Sequence, residues 1–235
     1  MYRIRFHGRG GQGIKVTSRI LGTALFMKGY EVQDAPRYGA ERRGAPIFAY
    51  VRASRDVIFE RGIVRNPDLI IVADESLIPL PAAAVRQGAD EHTVLRLNTR
   101  LDPQTWKERL NFPGPVLSFD AHTWFEKRQE ERYIGAACVG AASRLLGLFD
   151  ETTLKEAIYE ELQEMKSEII DKNTASALKA YELMQPYEHT VRSGKKSDAA
   201  NYVKPHWVEL PFDDARTSAP VIHAALTSEK VPTGL

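Results

Sequence analysis

A glycine-rich turn near the start of the chain restricts the fold more than any other part of the sequence. Residues 8–13 read Gly-Arg-Gly-Gly-Gln-Gly, which matches the pattern G-x-G-x-x-G. The alternating residues Tyr2–His7 before it predict a strand, and the apolar spacing of Ile14–Lys28 after it predicts an amphipathic helix that ends at Gly29. Glycines permit a tight turn and leave backbone N–H groups open to an anion at the start of the helix. The opening therefore indicates an α/β fold whose first loop can hold phosphate.

Two other interpretations of this turn stay open from the residues alone. A short strand over Tyr30–Gln33 ends at Asp34, 21 residues after Gly13. An NAD- or FAD-binding domain places the carboxylate that holds the ribose at such a position. The turn can also be purely structural and serve only to let the helix pack on the strand.

The segment after the second strand is basic. Residues 34–46 form a loop rich in Pro, Gly and Arg, and it carries Arg37, Arg42 and Arg43. Residues 1–55 contain 11 Lys and Arg against 3 Asp and Glu, a local charge of +8 in a chain whose net charge is +1. Because arginine forks bind phosphates and carboxylates, we expect a basic patch for a ligand with several phosphates or for an acidic partner surface. The near-neutral whole chain argues against a general nucleic-acid binder.

The remaining pattern predicts one Rossmann-like, three-layer α/β domain with a mostly parallel sheet over residues 1–184. Further strands are predicted at Ile47–Ala53, Leu69–Ala73, Thr93–Leu97 and Val116–Phe119, and helices at Tyr133–Leu148, Glu151–Ile170 and Thr174–Met184. Residues 185–235 are rich in proline and lack a helical period, yet they keep aromatic residues such as Trp207 and Phe212. We expect them to form an extended C-terminal arm that covers a partner surface.

The single cysteine, Cys138, limits the chemistry of the chain. One thiol cannot form an internal disulfide, a four-cysteine zinc site or an iron–sulfur cluster, and the six histidines are not at metal-ligand spacing. We therefore expect no metal site. The sequence shows no stretch that resembles a signal peptide or a membrane span, so we expect a cytoplasmic protein with no membrane and no nucleic-acid partner.

Two motifs taken together are more specific than the glycine turn alone. Gly8–Gly13 is followed by Tyr38–Pro46, which contains Glu-Arg-Arg-Gly. This pairing resembles the gamma subunits of the 2-oxoacid:ferredoxin (acceptor) oxidoreductase family, whose members act on pyruvate, 2-oxoisovalerate, 2-oxoglutarate or aryl-2-oxoacids such as indolepyruvate and phenylglyoxylate. The likeness covers residues 2–184 and includes Asp68–Asp74 and Leu97–Thr99.

The resemblance implies a division of labour among several chains. Enzymes of this family decarboxylate a 2-oxoacid on thiamine diphosphate with its Mg²⁺, pass electrons to [4Fe-4S] clusters and transfer the acyl group to coenzyme A. Thiamine diphosphate lies on alpha and beta subunits and the clusters lie on beta and delta subunits. The electron acceptor is ferredoxin or an NAD-reducing flavoprotein subunit. The gamma subunit is associated with coenzyme A binding and assembly, so no catalytic residue is expected in this chain.

Carried over residue by residue, the family pattern gives a set of positions expected to bind coenzyme A. They are Gly8, Arg9, Gly10, Gly11, Gln12, Gly13, Arg42, Arg43 and Asn98. The glycine turn would approach the phosphates or the pantetheine, the two loop arginines would pair with phosphates or hold a neighbouring subunit, and the asparagine would cap the site. The chain departs from the family at Arg132-Tyr133, where an asparagine is expected before the Ile-Gly step.

Overall fold

The computed structural model describes residues 1–37, 45–125 and 128–194. These residues belong to one compact unit, Met1–Lys196. The loop arginines Arg42 and Arg43, and the predicted arm from residue 195 onward, lie outside the described residues.

The described strands form one six-stranded sheet. They are β1 Tyr2–Arg9, β2 Glu31–Arg37, β3 Pro46–Ser54, β4 Leu69–Val72, β5 Val94–Asn98 and β6 Val116–Phe119, in the spatial order β2-β3-β1-β4-β5-β6. The pairs β1–β4, β4–β5 and β5–β6 are parallel, whereas β3 runs antiparallel to both β1 and β2. The predicted mostly parallel sheet is confirmed. β2 and β3 also reach further into the basic loop than the sequence predicts.

Helices cover one face of the sheet and a mixed layer covers the other. The helices in the described ranges are α1 Ile14–Met27, α2 Pro103–Leu110, α3 Ile134–Leu146, α4 Glu151–Leu162 and α5 Ser167–Leu183. The even positions of β1, such as Ile4 and Phe6, face the main core with α1 and α3. Short 3-10 turns and the region of α2 cover the opposite face, against Ile70 and Leu95. This is the predicted three-layer α/β architecture.

The predicted long helix over Glu151–Ile170 is wrong. The structure has two helices there, because α4 ends at Leu162 and α5 begins at Ser167, with Lys166 extended between them. Residues 163–168 are all exposed, so no apolar face continues across the break. The predicted short helix at Thr174–Met184 is the second half of α5.

The domain also continues past the boundary at residue 184. Val191 is buried, and its N–H donates to the Leu145 carbonyl oxygen at 3.1 Å. Glu188 forms an ion pair with Arg144 at 3.1 Å. Residues 185–194 therefore pack on the end of α3 rather than extending away as an arm.

Helix α3 packs against α5 at backbone distance. Almost all of its residues are buried, and most of them are Gly, Ala, Ser or Cys. A Cβ added at Gly140 would lie 1.9 Å from the carbonyl oxygen of Ala177 in α5. Because α5 lies so close, α3 has room only for small residues where the two helices meet.

We expect Gly140→Ala to lower the free energy of unfolding by about 1–3 kcal/mol, since the added methyl forces α3 and α5 apart. The same change in an unobstructed helix raises that free energy by about 0.5–1 kcal/mol. Gly22→Ala in α1 is the matched control, because its Cβ would meet side-chain atoms rather than backbone: Cγ1 of Val32 at 3.3 Å and Cβ of Asp34 at 3.8 Å. Urea unfolding followed by circular dichroism measures both, and a Gly140→Ala protein as stable as the parent would contradict the packing argument.

Candidate functional site

The glycine turn lies at the edge of the sheet where β1, β4 and β5 end. Its backbone is closed by Gln12, whose N–H donates to the Arg9 carbonyl oxygen at 3.1 Å and whose Oε1 accepts from the Arg9 N–H at 2.8 Å. The Gly10 N–H donates to the Ala45 carbonyl oxygen at 3.0 Å, next to the start of β3. These three hydrogen bonds hold the turn in one shape.

Gly11 and Gly13 supply the conformations that this shape needs. Their φ angles are 98° and 74°, in the left-handed region that favours glycine. Gly11 is exposed, and an added Cβ there would meet no atom within 4 Å. Gly13 precedes α1 without a side-chain cap, and the first turn of α1 carries no acidic residue. The N–H groups at the start of α1 and the positive end of the helix dipole together favour an anion.

A cavity of about 260 Å³ opens against this first helical turn. We call it the turn cavity. Its apolar wall comes from three helices and the α4–α5 connection: Val16, Ile20, Leu162, Met165 and Ile169. Its polar groups include Arg132 and Asn173, and Gly11 and Gly13 also line it. The cavity thus combines the anion-favouring backbone of the turn with an apolar wall.

The start of α3 forms another wall of the turn cavity and touches the glycine turn directly. A Cβ at Gly135 would lie 2.6 Å from both the Gln12 carbonyl oxygen and Thr17 Oγ1. Within the turn, a Cβ at Gly8 would lie 2.4 Å from Cγ1 of Ile14. Both glycines are needed for close packing, while Gly11 and Gly13 are needed for backbone conformation.

Arg9 is held by the fold at the end of β4. Its Nε lies 3.0 Å from Asp74 Oδ2, and its Nη2 donates to Ser76 Oγ at 2.7 Å. The predicted ligand-binding arginine is therefore bonded to a carboxylate in this structure. Asp74 also accepts from the Ser76 N–H at 3.0 Å, which makes it the start of a short 3-10 turn.

Asn98 is buried, and both ends of its amide are used by the backbone. Nδ2 donates to the Ala73 carbonyl oxygen at 3.1 Å, and Oδ1 accepts from the Ala121 N–H at 2.8 Å. The side chain therefore joins the segments that follow β4 and β6 across the end of β5. The structure gives this residue a positioning role, with no polar atom directed at the turn cavity.

The predicted basic patch is only partly on the surface. Arg3, Arg5 and Arg52 are 5%, 3% and 3% exposed, since alternate positions of β1 and β3 face the second layer. Arg3 and Arg52 pair with Glu60. Arg5 donates to the carbonyl oxygens of Val85 at 2.7 Å and Gln87 at 2.8 Å, and burial lowers its pKa to about 10. Part of the local charge of +8 therefore belongs to buried arginines that hold the second layer onto the sheet.

His7, beside the glycine turn, belongs to the same buried face. It is 2% exposed and packs edge-to-face on Phe48 with ring centroids 5.3 Å apart. Burial, and then the charge of Arg5, lower its pKa to about 3, so the imidazole is neutral at physiological pH.

Asp34 does not reach the glycine turn. In the sheet it pairs with Val51, which pairs with Ile4 in β1, so it lies level with the first half of β1 rather than with Gly8. The reversed strand β3 separates it from β1 as well. Burial raises the pKa of its carboxyl group, in line with a half-buried position against α1. The register thus removes the ribose-binding geometry that a dinucleotide site requires.

Sequence reasoning missed a buried cation in β5. Arg96 is fully buried, its Nη1 lies 3.6 Å from Cys138 Sγ, and its guanidinium carbon lies 3.4 Å from the centroid of the Phe119 ring. Burial lowers its pKa to about 10. The only signal in the sequence is one charged residue within an apolar run. Cys138 is buried, and burial raises the pKa of its thiol.

Neither a membrane-spanning helix nor a metal cluster occurs in the described ranges. None of the helices there is long and apolar enough to cross a membrane. No group of three or more His, Cys, Asp or Glu residues in the same ranges is placed to hold a metal ion.

Comparison with known proteins decides the family. Residues 3–183 match the family model described as pyruvate ferredoxin/flavodoxin oxidoreductase. The chain belongs to this family. It is 32% identical over 182 residues to the pyruvate synthase subunit PorC of Thermotoga maritima, which covers 77% of this chain and 93% of that protein. It is 33% identical over 189 residues to the pyruvate/ketoisovalerate oxidoreductases common subunit gamma of Pyrococcus furiosus, with 80% and 100% covered.

A solved structure supports the same assignment. The crystal structure of pyruvate oxidoreductase subunit PORC from Thermotoga maritima matches with a TM-score of 0.64 and 30% identity, over 77% of this chain and 95% of that chain. The resemblance inferred from the two motifs is confirmed, and this chain is a gamma-type subunit of the family.

Replacing Asn98 with alanine is expected to lower the free energy of unfolding by about 2–4 kcal/mol, because a buried carbonyl and a buried N–H lose their partners together. Gln104→Ala is the control, since the Gln104 side chain bonds to the exposed Glu108 and its backbone bond to Asp102 is kept. Thermal unfolding of both variants measures the difference. Equal melting temperatures would show that Asn98 does not hold the strand ends.

Proposed function

We propose that this chain is the gamma subunit of a multi-subunit 2-oxoacid:acceptor oxidoreductase and that it contributes coenzyme A binding and assembly. The reaction is the oxidative decarboxylation of a 2-oxoacid with acyl transfer to coenzyme A. The family assignment supports the subunit role. The glycine turn that opens onto the turn cavity carries the coenzyme A assignment.

The residues that line the turn cavity suit both chemical halves of coenzyme A, the charged pyrophosphate and the apolar pantetheine arm. The N–H groups around Gly11 and Gly13 favour its pyrophosphate, and glycine lets the backbone come close to the phosphate oxygens. The apolar wall around Val16 and Ile169 suits the pantetheine arm, which carries methyl and methylene groups. Arg132 at the same cavity supplies a fork for a phosphate oxygen. Such a site would raise the reaction rate by orienting the coenzyme A thiol toward an acyl group on another chain.

The remaining chemistry belongs to partner chains in this proposal. Thiamine diphosphate with Mg²⁺ supplies the electron sink for decarboxylation, and [4Fe-4S] clusters carry the electrons to ferredoxin or to an NAD-reducing flavoprotein subunit. One cysteine in the whole sequence cannot ligate such a cluster. We place the alpha, beta and delta-type subunits as partners and the cytoplasm as the compartment.

Two alternatives are weaker. A stand-alone NAD- or FAD-binding oxidoreductase needs a carboxylate near the turn, and the register of Asp34 does not supply one. A purely structural subunit does not need an anion-favouring helix end beside an apolar cavity.

Isolation of the complex through a tag on this chain, from its own host, tests the subunit role. We expect co-purifying proteins by mass spectrometry, together with iron and thiamine diphosphate. A lone chain with bound nucleotide and no iron would overturn the proposal and favour the dinucleotide alternative.

Gly11→Ala tests the coenzyme A assignment within that complex. Alanine at φ 98° strains the turn by about 1–2 kcal/mol without a clash, so we expect the apparent KM for coenzyme A to rise about fivefold to thirtyfold. Gly62→Ala is the matched control, because Gly62 is exposed, has φ of 75° and also has open space. Altered subunit stoichiometry with an unchanged KM would instead support the purely structural role.

A further inference from the structure

Asp74 follows β4, and the parallel register of the sheet places it beside the glycine turn. His7 in β1 pairs with Val72 in β4, and the Ala73 N–H donates to the His7 carbonyl oxygen at 2.8 Å. Two residues further along each segment, Arg9 and Asp74 therefore meet. The proposed function gives this carboxylate no role, although it lies next to the turn.

The two oxygens of the Asp74 carboxylate have different partners. Oδ1 accepts the Ser76 N–H at 3.0 Å and the Ser76 hydroxyl, and both bonds stay within the short 3-10 turn that Asp74 begins. Oδ2 faces the glycine turn, where it lies 3.0 Å from Arg9 Nε and 3.5 Å from Gln12 Nε2. One carboxylate therefore joins the end of β4 to two residues of the turn.

The bond to Asp74 fixes which way the Gln12 amide points. Because Nε2 is directed at a carboxylate oxygen, Oε1 is left to accept the Arg9 N–H, at 2.8 Å. The bonds thus close a ring through Asp74, Gln12 and Arg9. This ring spans Gly10 and Gly11, the part of the turn whose backbone has the least stiffness of its own.

Asp74 is itself held firmly by its neighbours in the chain. The Ala73 carbonyl oxygen accepts from Asn98 Nδ2 at 3.1 Å, and the Glu75 carboxylate accepts the Thr99 hydroxyl. The residues on both sides of Asp74 are therefore tied to the segment at the end of β5. A carboxylate on such a support can keep a glycine loop in one shape.

We propose that Asp74 is a positioning residue for the anion site of the glycine turn. It acts through Gln12 and Arg9 and does not itself touch the anion. This inference rests on the proposed function, since the anion in question is the pyrophosphate of coenzyme A. The negative charge of Asp74 opposes this role, because a carboxylate near a bound phosphate weakens binding by repulsion. Asp74 therefore favours binding only by shaping the turn.

The substitution Asp74→Asn separates shape from charge, because it removes the charge and keeps the size of the side chain. Both oxygens of the aspartate accept hydrogen bonds. An asparagine amide, whichever way it lies, turns its NH₂ donor either toward the Ser76 N–H or toward the donors of Gln12 and Arg9. A positioning role therefore predicts weaker binding of coenzyme A, whereas repulsion alone predicts tighter binding in the variant.

Calorimetric titration of the purified complex with coenzyme A measures the Kd, and steady-state kinetics measure kcat. We expect Asp74→Asn to raise the Kd about fivefold to twentyfold and to leave kcat at saturating coenzyme A within about twofold. Asp102→Asn is the matched control. Asp102 begins α2 through the same kind of bond, to the Gln104 N–H at 2.8 Å, and no hydrogen bond joins it to the glycine turn in the described structure. The control should change neither quantity.

A second variant tests the link from the other side and serves if Asp74→Asn does not fold. Gln12→Leu leaves the 3-10 turn at Asp74 intact and removes the amide that Asp74 holds, so we expect a similar rise in the Kd. The double variant should bind within about threefold of Gln12→Leu alone, since residues that act through one another are not additive. Two effects that multiply would mean that the residues act independently and would overturn the proposal.

The outcomes also separate this inference from the proposed function. Circular dichroism confirms that each variant is folded. If the parent complex binds coenzyme A and Asp74→Asn leaves the Kd unchanged or lowers it, or if Asp102→Asn raises it equally, this inference fails alone. If the parent complex binds no coenzyme A, the proposed function fails and this inference fails with it.

Discussion

Helix α3 begins directly on the backbone of the glycine turn, and neither element leaves room for a side chain at the contact. A Cβ on Gly135 would lie 2.6 Å from the Gln12 carbonyl oxygen. The same helix meets α5 at Gly140, where the Ala177 carbonyl oxygen leaves equally little room. Two contacts between backbones therefore set the distances from the turn to α3 and from α3 to α5. The walls of the turn cavity depend on those distances, since Gly11 of the turn, Gly135 of α3 and Ile169 of α5 all line it.

Local sequence patterns were sufficient for the part of the fold that carries the turn. Alternation in Tyr2–His7, the glycines and the apolar spacing of Ile14–Lys28 each depend on neighbours within a few residues. The apolar run at Leu69–Ala73 likewise predicted a strand, and β4 is buried along its whole length. The helix predicted at Tyr133–Leu148 corresponds to α3.

Features that depend on distant partners were not predictable in this way. The reversal of β3 depends on its pairing with β1, and no local pattern encodes that choice. A count of charged residues gave the sign of the net charge over residues 1–55. It did not show that Arg3, Arg5 and Arg52 are buried against the second layer. Asn98 was carried over from the family pattern as a ligand residue. Its buried amide instead bonds to two backbone segments, at Ala73 and Ala121, that lie far apart in the sequence.

The reversed strand also bears on the order in which the sheet is built. β2 and β3 follow each other in the chain and pair as a hairpin from Glu31 with Ser54 to Arg37 with Phe48, so their contacts are local. Hairpins of this kind form in about 1–10 μs, whereas parallel pairs such as β1 with β4 must first close a long loop. In the described sheet β2 touches no strand except β3, so the hairpin is attached to the remaining strands through β1 alone. The Gly10 bond to Ala45 adds a second attachment, at the glycine turn. A displacement of the hairpin would therefore reach the glycine turn directly, through the bond between Gly10 and Ala45.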